Sequence, residues 1–189
     1  MQGLTSILDY PDRGDGGKWN YRGNFSPRLV QDLVGFFRPK NVIDPMVGGG
    51  TTEDVCKQLG VPGWFGDLSR GFDIRADEIP QLADLVVVHP PYFDIVKYSG
   101  VMWNKGKPDS RDLSQVEDYP TFIKWLNEAL YSAYQAVRPG GRLAVVIGDV
   151  KRKGVLYPIQ RDMSWFGTPE YHLIKTQHNT WSGNYKDGE

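Results

Sequence analysis

The chain has 189 residues, 22 Lys+Arg against 23 Asp+Glu, and a single cysteine, which suits one domain and excludes an intramolecular disulfide framework or a cysteine-rich zinc site. Hydrophobic residues make up 40% and aromatics 13%, enough for a packed core, and the formal net charge of −1 leaves any polyanionic partner to be met by a local patch. No apolar run approaches the roughly 18 residues of a membrane span, and the opening segment lacks the apolar core of a signal peptide, so a cytoplasmic protein is expected.

Residues 1–24 are rich in Gly, Asp and Arg, poor in aliphatics, and read as a loop-like lead-in. Ser26-Pro27 then has the form of an N-cap followed by Pro at the first helical position. Leu29, Val30, Leu33, Val34 and Phe37 recur at helical spacing, which predicts an amphipathic helix over 27–37. A short apolar run, Asn41–Asp44, leads into the Gly-rich segment Pro45–Gly50 and a helical stretch from Thr51 to Leu59. Trp64–Asp67 reads as a second strand ending in an acid, and Phe72–Arg75 as a third, short one. Asp84–Val88 is the apolar run of a strand buried on both faces, and it stops at His89-Pro90-Pro91-Tyr92, where two prolines end the ladder. Residues 93–116 look irregular and polar. Phe122, Trp125, Leu126, Ala129, Leu130, Ala133 and Val137 repeat at three and four, a helix ended by Pro139-Gly140-Gly141. Leu143–Ile147 reads as another buried strand, and the mixed tail from 151 holds a further one at Tyr171–Thr176. Strands alternating with helices predict an α/β fold over 1–189, with a mostly parallel central sheet covered by helices on both faces and a ligand beyond the strands' carboxyl ends.

Three segments carry chemistry. In Asp44-Pro-Met-Val-Gly48-Gly49-Gly50-Thr51-Thr52, consecutive glycines let the backbone approach a ligand, and the next helix aims its N–H groups there. No Gly-Lys-Ser/Thr follows, which argues against a Walker loop; a plain strand–helix turn is the structural alternative. Asp67 stands where an acid typically binds ribose hydroxyls, or it caps a helix. Of Asp73 and Asp77, either of which could reach an adenine amino group, Asp77 is preferred. His89-Pro90-Pro91-Tyr92 pins φ, removes two N–H donors and leaves carbonyls to accept from a ligand amine. Tyr92 offers a face for stacking, or else packs into the core.

Together these segments resemble the S-adenosylmethionine-dependent DNA amino-methyltransferases, which modify N6 of adenine or N4 of cytosine. Asp44–Thr52 is similar to that family's cofactor motif, Asp-Pro-Phe-x-Gly-Ser-Gly-Thr-Thr. His89–Tyr92 is similar to its catalytic motif, Asp/Asn/Ser-Pro-Pro-Tyr/Phe, and Asn24-Phe25-Ser26-Pro27 resembles its N-terminal cofactor segment. The resemblance spans about residues 20–150. It implies a Rossmann-like class I methyltransferase domain. It implies S-adenosylmethionine at Phe25, Ser26, Asp44, Pro45, Gly48, Gly50, Thr51, Thr52, Asp67 and Asp77. It also implies catalysis at His89, Pro90, Pro91 and Tyr92, no metal, and DNA as partner, with adenine N6 favoured over cytosine N4 and RNA as an alternative.

The sequence departs from the family at His89, where Asp, Asn or Ser is usual. A neutral imidazole also has one acceptor nitrogen, and a pKa near 6.5 predicts failure at mildly acidic pH; a structural His89 in an inactive cofactor-binding or regulatory relative is the competing expectation. The chain also leaves little length for a target-recognition domain, so specificity is expected to be loose, or supplied by a separate subunit or an absent segment; a homo-oligomer is the alternative partner. Within 92–111, Phe93, Lys97, Tyr98 and Trp103 interleave aromatics with basic residues as a strand-binding surface would, although acids nearly cancel the charge. Lys151 and Arg152 could hold phosphates or form a charged turn. His172 and His178 read as surface residues and Cys56 as packed.

Overall fold

The computed structural model describes residues 4–103 and 105–177. Four parallel strands form the central sheet. They are β2 (Val42–Asp44), β3 (Gly63–Phe65), β4 (Ala83–Val88) and β5 (Val137–Val145), lying in the order β3, β2, β4, β5; β1 (Ile7–Tyr10) precedes them among the described residues. On one face of the sheet, Val42, Leu85 and Val87 pack against α1 (Pro27–Phe37) and α2 (Thr51–Leu59) through Leu29, Val30, Leu33, Val34, Val55 and Cys56. On the other, Ile43, Val86 and Val88 meet Phe122, Leu126, Ala129, Leu130 and Ala133 of α3 (Tyr119–Gln135). Successive strand residues point to opposite faces, so a strand covered on both sides needs an unbroken apolar run. The fold is therefore α/β, a parallel sheet flanked by helices on both faces.

The helices begin where their caps dictate. Ser26 accepts from the Arg28 N–H at 3.2 Å and Pro27 opens α1. Asp118 accepts from the Thr121 N–H at 2.9 Å at the head of α3. Gly50, at φ 88°, takes the left-handed conformation at the head of α2 that a residue with a Cβ would resist.

Several expectations are corrected. The lead-in holds β1, which pairs in parallel with β8 (Ile174–Gln177), and Leu8 and Tyr10 are buried on the α1 side of the sheet. The strand expected at Tyr171–Thr176 thus starts later, at Ile174. Phe72–Arg75 is a turn, not a strand: the Ala76 and Asp77 N–H groups both donate to the Asp73 carbonyl, at 2.9 and 2.7 Å. α3 ends at Gln135, and β5 runs through Pro139-Gly140-Gly141 rather than starting at Leu143, with an irregular register opposite Ala83–Leu85. Proline is tolerated there because β5 pairs only with β4 among the described residues. Beyond β5 come an antiparallel hairpin, β6 (Val150–Arg152) with β7 (Val155–Tyr157), and one turn of helix, α4 (Ile159–Asp162). Among the described residues no helix is long and apolar enough to cross a membrane.

The strand order sets where a crevice opens. From β2 the chain moves outward to β3, then returns to lay β4 on the other side of β2. The loops leaving β2 and β4 diverge at this reversal, opening a crevice at the strands' carboxyl ends.

Candidate ligand-binding and active site

A cleft of about 760 Å³, counted out to its mouth, lies at this reversal. Pro45–Gly49 after β2, Asp67–Ser69 after β3, and His89 and Pro91 after β4 all line it. Residues 21 and 23–25 cover it from the N-terminal side, and Tyr98, Met102, Trp103 and Arg111–Leu113 close the far side.

Asp44 shapes the glycine loop from below. Its Oδ1 accepts from the Met46 N–H at 3.0 Å and its Oδ2 from the Thr52 hydroxyl at 2.5 Å. The carboxyl is 1% exposed, and burial, outweighing these two bonds, pushes its pKa up to about 7. Asp44, Gly50 and Thr52 do not line the cleft, whereas Pro45, Gly48 and Thr51 do. Asp44 and Thr52 therefore set the loop's shape from behind the lining. Asp67 takes the capping role that its position suggested and also braces the glycine loop. Its Oδ1 caps the turn through the Ser69 N–H and hydroxyl, at 2.9 and 2.5 Å, and its Oδ2 accepts from the Gly48 N–H at 2.9 Å on the cleft wall.

The N-terminal segment is strapped over the glycines. The Lys18 N–H donates to the Gly49 carbonyl at 2.8 Å. Asn24 donates to the Lys18 carbonyl at 2.5 Å and accepts from the Thr51 hydroxyl at 3.4 Å. Phe25 lines the cleft and meets His89 edge-on, ring centres 4.9 Å apart. Ser26 is buried outside the cleft, where it caps α1 and donates to the Arg13 carbonyl at 2.7 Å. Asn24, the first residue of the segment likened to a cofactor-binding one, lines the cleft, and so does Tyr21, which nothing in a polar Gly-rich stretch marks.

Asp77 does not reach the cleft. It is exposed and accepts from the Asp73 N–H at 2.7 Å. Asp73 lines the cleft instead, buried, with its Oδ2 3.4 Å from Arg111 Nη1. The tight turn that replaces the expected strand aims Asp73 inward, with Phe72 and Ile74 beside it. Asp112, also on the wall, accepts from the Ser114 N–H at 2.7 Å and Trp103 Nε1 at 3.1 Å, and burial raises its pKa. Three carboxylates thus face the cleft against one arginine, and that arginine is already paired with Asp109 and Asp73.

β4 runs directly into the His89–Tyr92 turn. His89 and Pro91 line the cleft; Pro90 is buried behind them. His89 Nε2 lies 3.1 Å from the Tyr92 hydroxyl, with the two rings edge-on at 5.4 Å. Burial, with a contribution from Lys175, pushes the His89 pKa down to about 3, so the imidazole is neutral at physiological pH, and the acid sensitivity expected from an ordinary histidine is removed. Tyr92 does not line this cleft. Its ring leans toward Gly148 beyond β5, and it touches the crevice through His89.

The other expected substrate contacts divide. Tyr98 and Trp103 line the cleft. Phe93 does not: a left-handed backbone, φ 50°, turns it under the loop into a buried cluster with Tyr119, Phe122 and Tyr157. Lys97 is exposed and paired with Glu117 at 2.9 Å. Lys151 and Arg152 stand on the β6–β7 hairpin outside the cleft, Arg152 2.5 Å from the Asp94 carboxylate. Cys56 is buried in α2, its thiol pKa pushed up to about 12. His172 is exposed, and His178 lies outside the described residues.

This cleft suits a ligand with a flat apolar body and cationic groups. Phe25, Met46, Phe72 and Ile74 supply apolar walls, Asp67, Asp73 and Asp112 supply negative charge, and Gly48–Gly49 bring bare backbone close. No protein-family model matches the chain, and no curated protein or solved structure matches it either.

Proposed function

We propose that the protein is a Rossmann-like methyltransferase that moves a methyl group from S-adenosylmethionine to an exocyclic amino group of a DNA base, N6 of adenine in the first instance. One observation carries this reading: the glycine loop after β2, through Pro45–Gly49, and the turn after β4, through His89 and Pro91, line the same cleft, at the sheet position where α/β folds bind nucleotides.

The residues present fit the cofactor. The sulfonium and ammonium groups of S-adenosylmethionine suit an acidic rim, Asp67 stands where a ribose diol is held, and Phe72 and Ile74 provide a slot for the adenine. S-Adenosylmethionine supplies an activated methyl group on a positively charged sulfur. The chain's own residues supply alignment. The His89 imidazole, kept neutral by burial, and the Pro90 carbonyl each offer a lone pair to an amine N–H. Two such acceptors hold the amine in one orientation, so that its nitrogen lone pair is left for the methyl carbon. Holding reacting groups in line is a large source of rate in such a displacement. The Tyr92 hydroxyl fixes the imidazole from behind.

The test is incubation with S-adenosylmethionine carrying an isotopic methyl label and duplex DNA, single-stranded DNA or RNA, followed by mass analysis of the nucleosides. Labelled N6-methyladenine in DNA is expected. Cofactor binding with no label in any nucleic acid would favour an inactive binding module.

The strap over the loop yields a second expectation. A Cβ at Gly49 would stand 2.4 Å from Asn24 Oδ1 and 2.9 Å from Tyr21 Cβ, closer than atoms can approach. Gly49→Ala should therefore lift residues 18–24 from the cleft and weaken S-adenosylmethionine binding about tenfold or more by calorimetry, with the circular dichroism spectrum retained. Unchanged affinity would remove the strap from the binding site.

A further inference from the structure

The β6–β7 hairpin has no role in the cleft, yet its construction is specific. Each strand is three residues long, and Lys153 and Gly154, at φ 47° and 79°, make the two-residue turn between them. Val150 is buried at its base, and the Tyr157 ring lies 5.0 Å from Phe93 and 5.1 Å from Tyr119. Arg152 grips Asp94 through both the carboxylate, at 2.5 Å, and the carbonyl, at 2.6 Å. The hairpin is thus bolted to residues 93 and 94, immediately after the His89–Tyr92 turn. A two-stranded ribbon this short is marginal alone; these attachments hold it upright.

Its tip is not built for water. Val155 is 52% exposed and Leu156 59%, while Lys151 and Lys153 are exposed and make no ion pair among the described residues. The register sets Lys151 opposite Leu156 and Arg152 opposite Val155, so each face carries one cation and one aliphatic. Three residues of strand reach about 10 Å, and the grooves of a duplex are about 8 Å deep. Aliphatics flanked by cations, on an exposed hairpin of that length tied to residues 93 and 94 just after the His89–Tyr92 turn, match a base stack framed by phosphates. Proteins that kink or open duplexes insert apolar side chains in this way.

We infer that the β6–β7 hairpin is a duplex-opening wedge: Val155 and Leu156 enter the base stack where the target base leaves it, and Lys151 and Lys153 hold the flanking phosphates. This rests on the methyl-transfer reading of the cleft, because it names the form of the substrate. A flipped base leaves a gap that costs stacking energy, and the wedge fills that gap.

The experiment uses the full chain and two double variants, V155S/L156S and K151Q/K153Q. Both change exposed tip residues, so the circular dichroism spectrum should be unaltered. Binding is measured by fluorescence anisotropy on a matched duplex bearing a fluorescent adenine analogue, whose emission rises when it unstacks, and methyl transfer is measured on duplex and single strand. V155S/L156S should lose the emission rise and transfer to matched duplex about tenfold or more, with single-strand transfer and S-adenosylmethionine affinity near the original. K151Q/K153Q should bind duplex more weakly, with the log–log salt slope shallower by about two. Variants that bind, unstack and methylate the matched duplex as the original does would overturn the wedge, as would an original chain that binds duplex with no emission rise. If the original shows the rise, the variants lose it, and no nucleic acid is methylated by any of them, the cleft reading falls and the wedge stands.

Discussion

His89→Ala is expected to lower methyl transfer about a hundredfold or more while S-adenosylmethionine still binds, because it deletes an acceptor aimed at the reacting amine and leaves the glycine loop untouched. Removing one preorganised polar group of this kind typically costs that much in turnover. His89→Asn supplies another acceptor at the same place and should recover much of the loss. The Tyr92 hydroxyl, 3.1 Å from His89 Nε2, decides which nitrogen faces the amine. With the proton on Nε2, donated to the Tyr92 oxygen, Nδ1 is the free acceptor. Burial pushes the Tyr92 pKa up to about 12, so the phenol stays neutral throughout the working range. Tyr92→Phe keeps the ring and loses this anchor. It should cost about tenfold in kcat with little change in KM for the cofactor, and it should alter the nitrogen resonances of the imidazole, which a purely packing role would leave alone. The pH profile is a second check. An imidazole with a pKa near 3 cannot switch catalysis off at mild acidity. His89 should therefore add no step to the rate between about pH 5 and 8, and a fall with a midpoint near 6.5 that persists in Asp44→Asn would contradict the neutral buried imidazole. Loss of cofactor binding in His89→Ala would instead move His89 from catalysis to cofactor support.

What the sequence revealed follows the range of the forces involved. α1, α2 and α3 were legible because a buried stripe repeats at the helical period, and β4 because a strand covered on both faces has little choice but Val and Leu. β1 was not: it forms by pairing with β8, which lies at the far end of the chain, and Leu8 and Tyr10 are buried against α1. β5 was misplaced because Pro139-Gly140-Gly141 looks like a terminator, and only the open edge of the sheet lets it run on. At the cleft, short motifs with a backbone reason stood out, as at Gly48–Gly49 and His89–Tyr92. Residues that arrive by folding back did not: Tyr21 comes from a polar loop, and Asp112 and Leu113 from an irregular one. Asp77 was preferred over Asp73 on an extended backbone, and a turn reversed that order. Asp44 was read as a ligand contact from its place in the motif, but its burial and its two loop bonds make it a support.

Asp44 and His89 also make opposite demands on the folded state, and separating them should reveal two pH dependences that nearly cancel. Stability rises with pH wherever the unfolded chain binds more protons than the folded one. Asp44 has a folded pKa of about 7 against an ordinary 3.8. Between about pH 4 and 7 the folded chain therefore holds a proton that the unfolded chain lacks, and this group alone makes stability fall as pH rises. His89 has a folded pKa of about 3 against an ordinary 6.5. Between about pH 3 and 6.5 the unfolded chain holds the extra proton, and this group alone makes stability rise with pH. From about pH 4 to 6.5 the two contributions offset one another. Asp44→Asn leaves the histidine unopposed, so stability relative to the original chain should climb by about 1.4 kcal/mol per pH unit across that window. His89→Asn leaves the carboxyl unopposed and should fall at a similar rate, roughly 2 kcal/mol between about pH 4.5 and 6. The paired surface carboxylates Asp12, Glu53, Asp84 and Asp109, all lowered by their partners, add an acid-side slope common to every variant, which cancels in the differences. Urea denaturation at a series of pH values measures this directly, and it needs neither cofactor nor substrate. Difference curves that are flat would place both groups in ordinary aqueous surroundings; curves of the same sign would rule out the opposed pair.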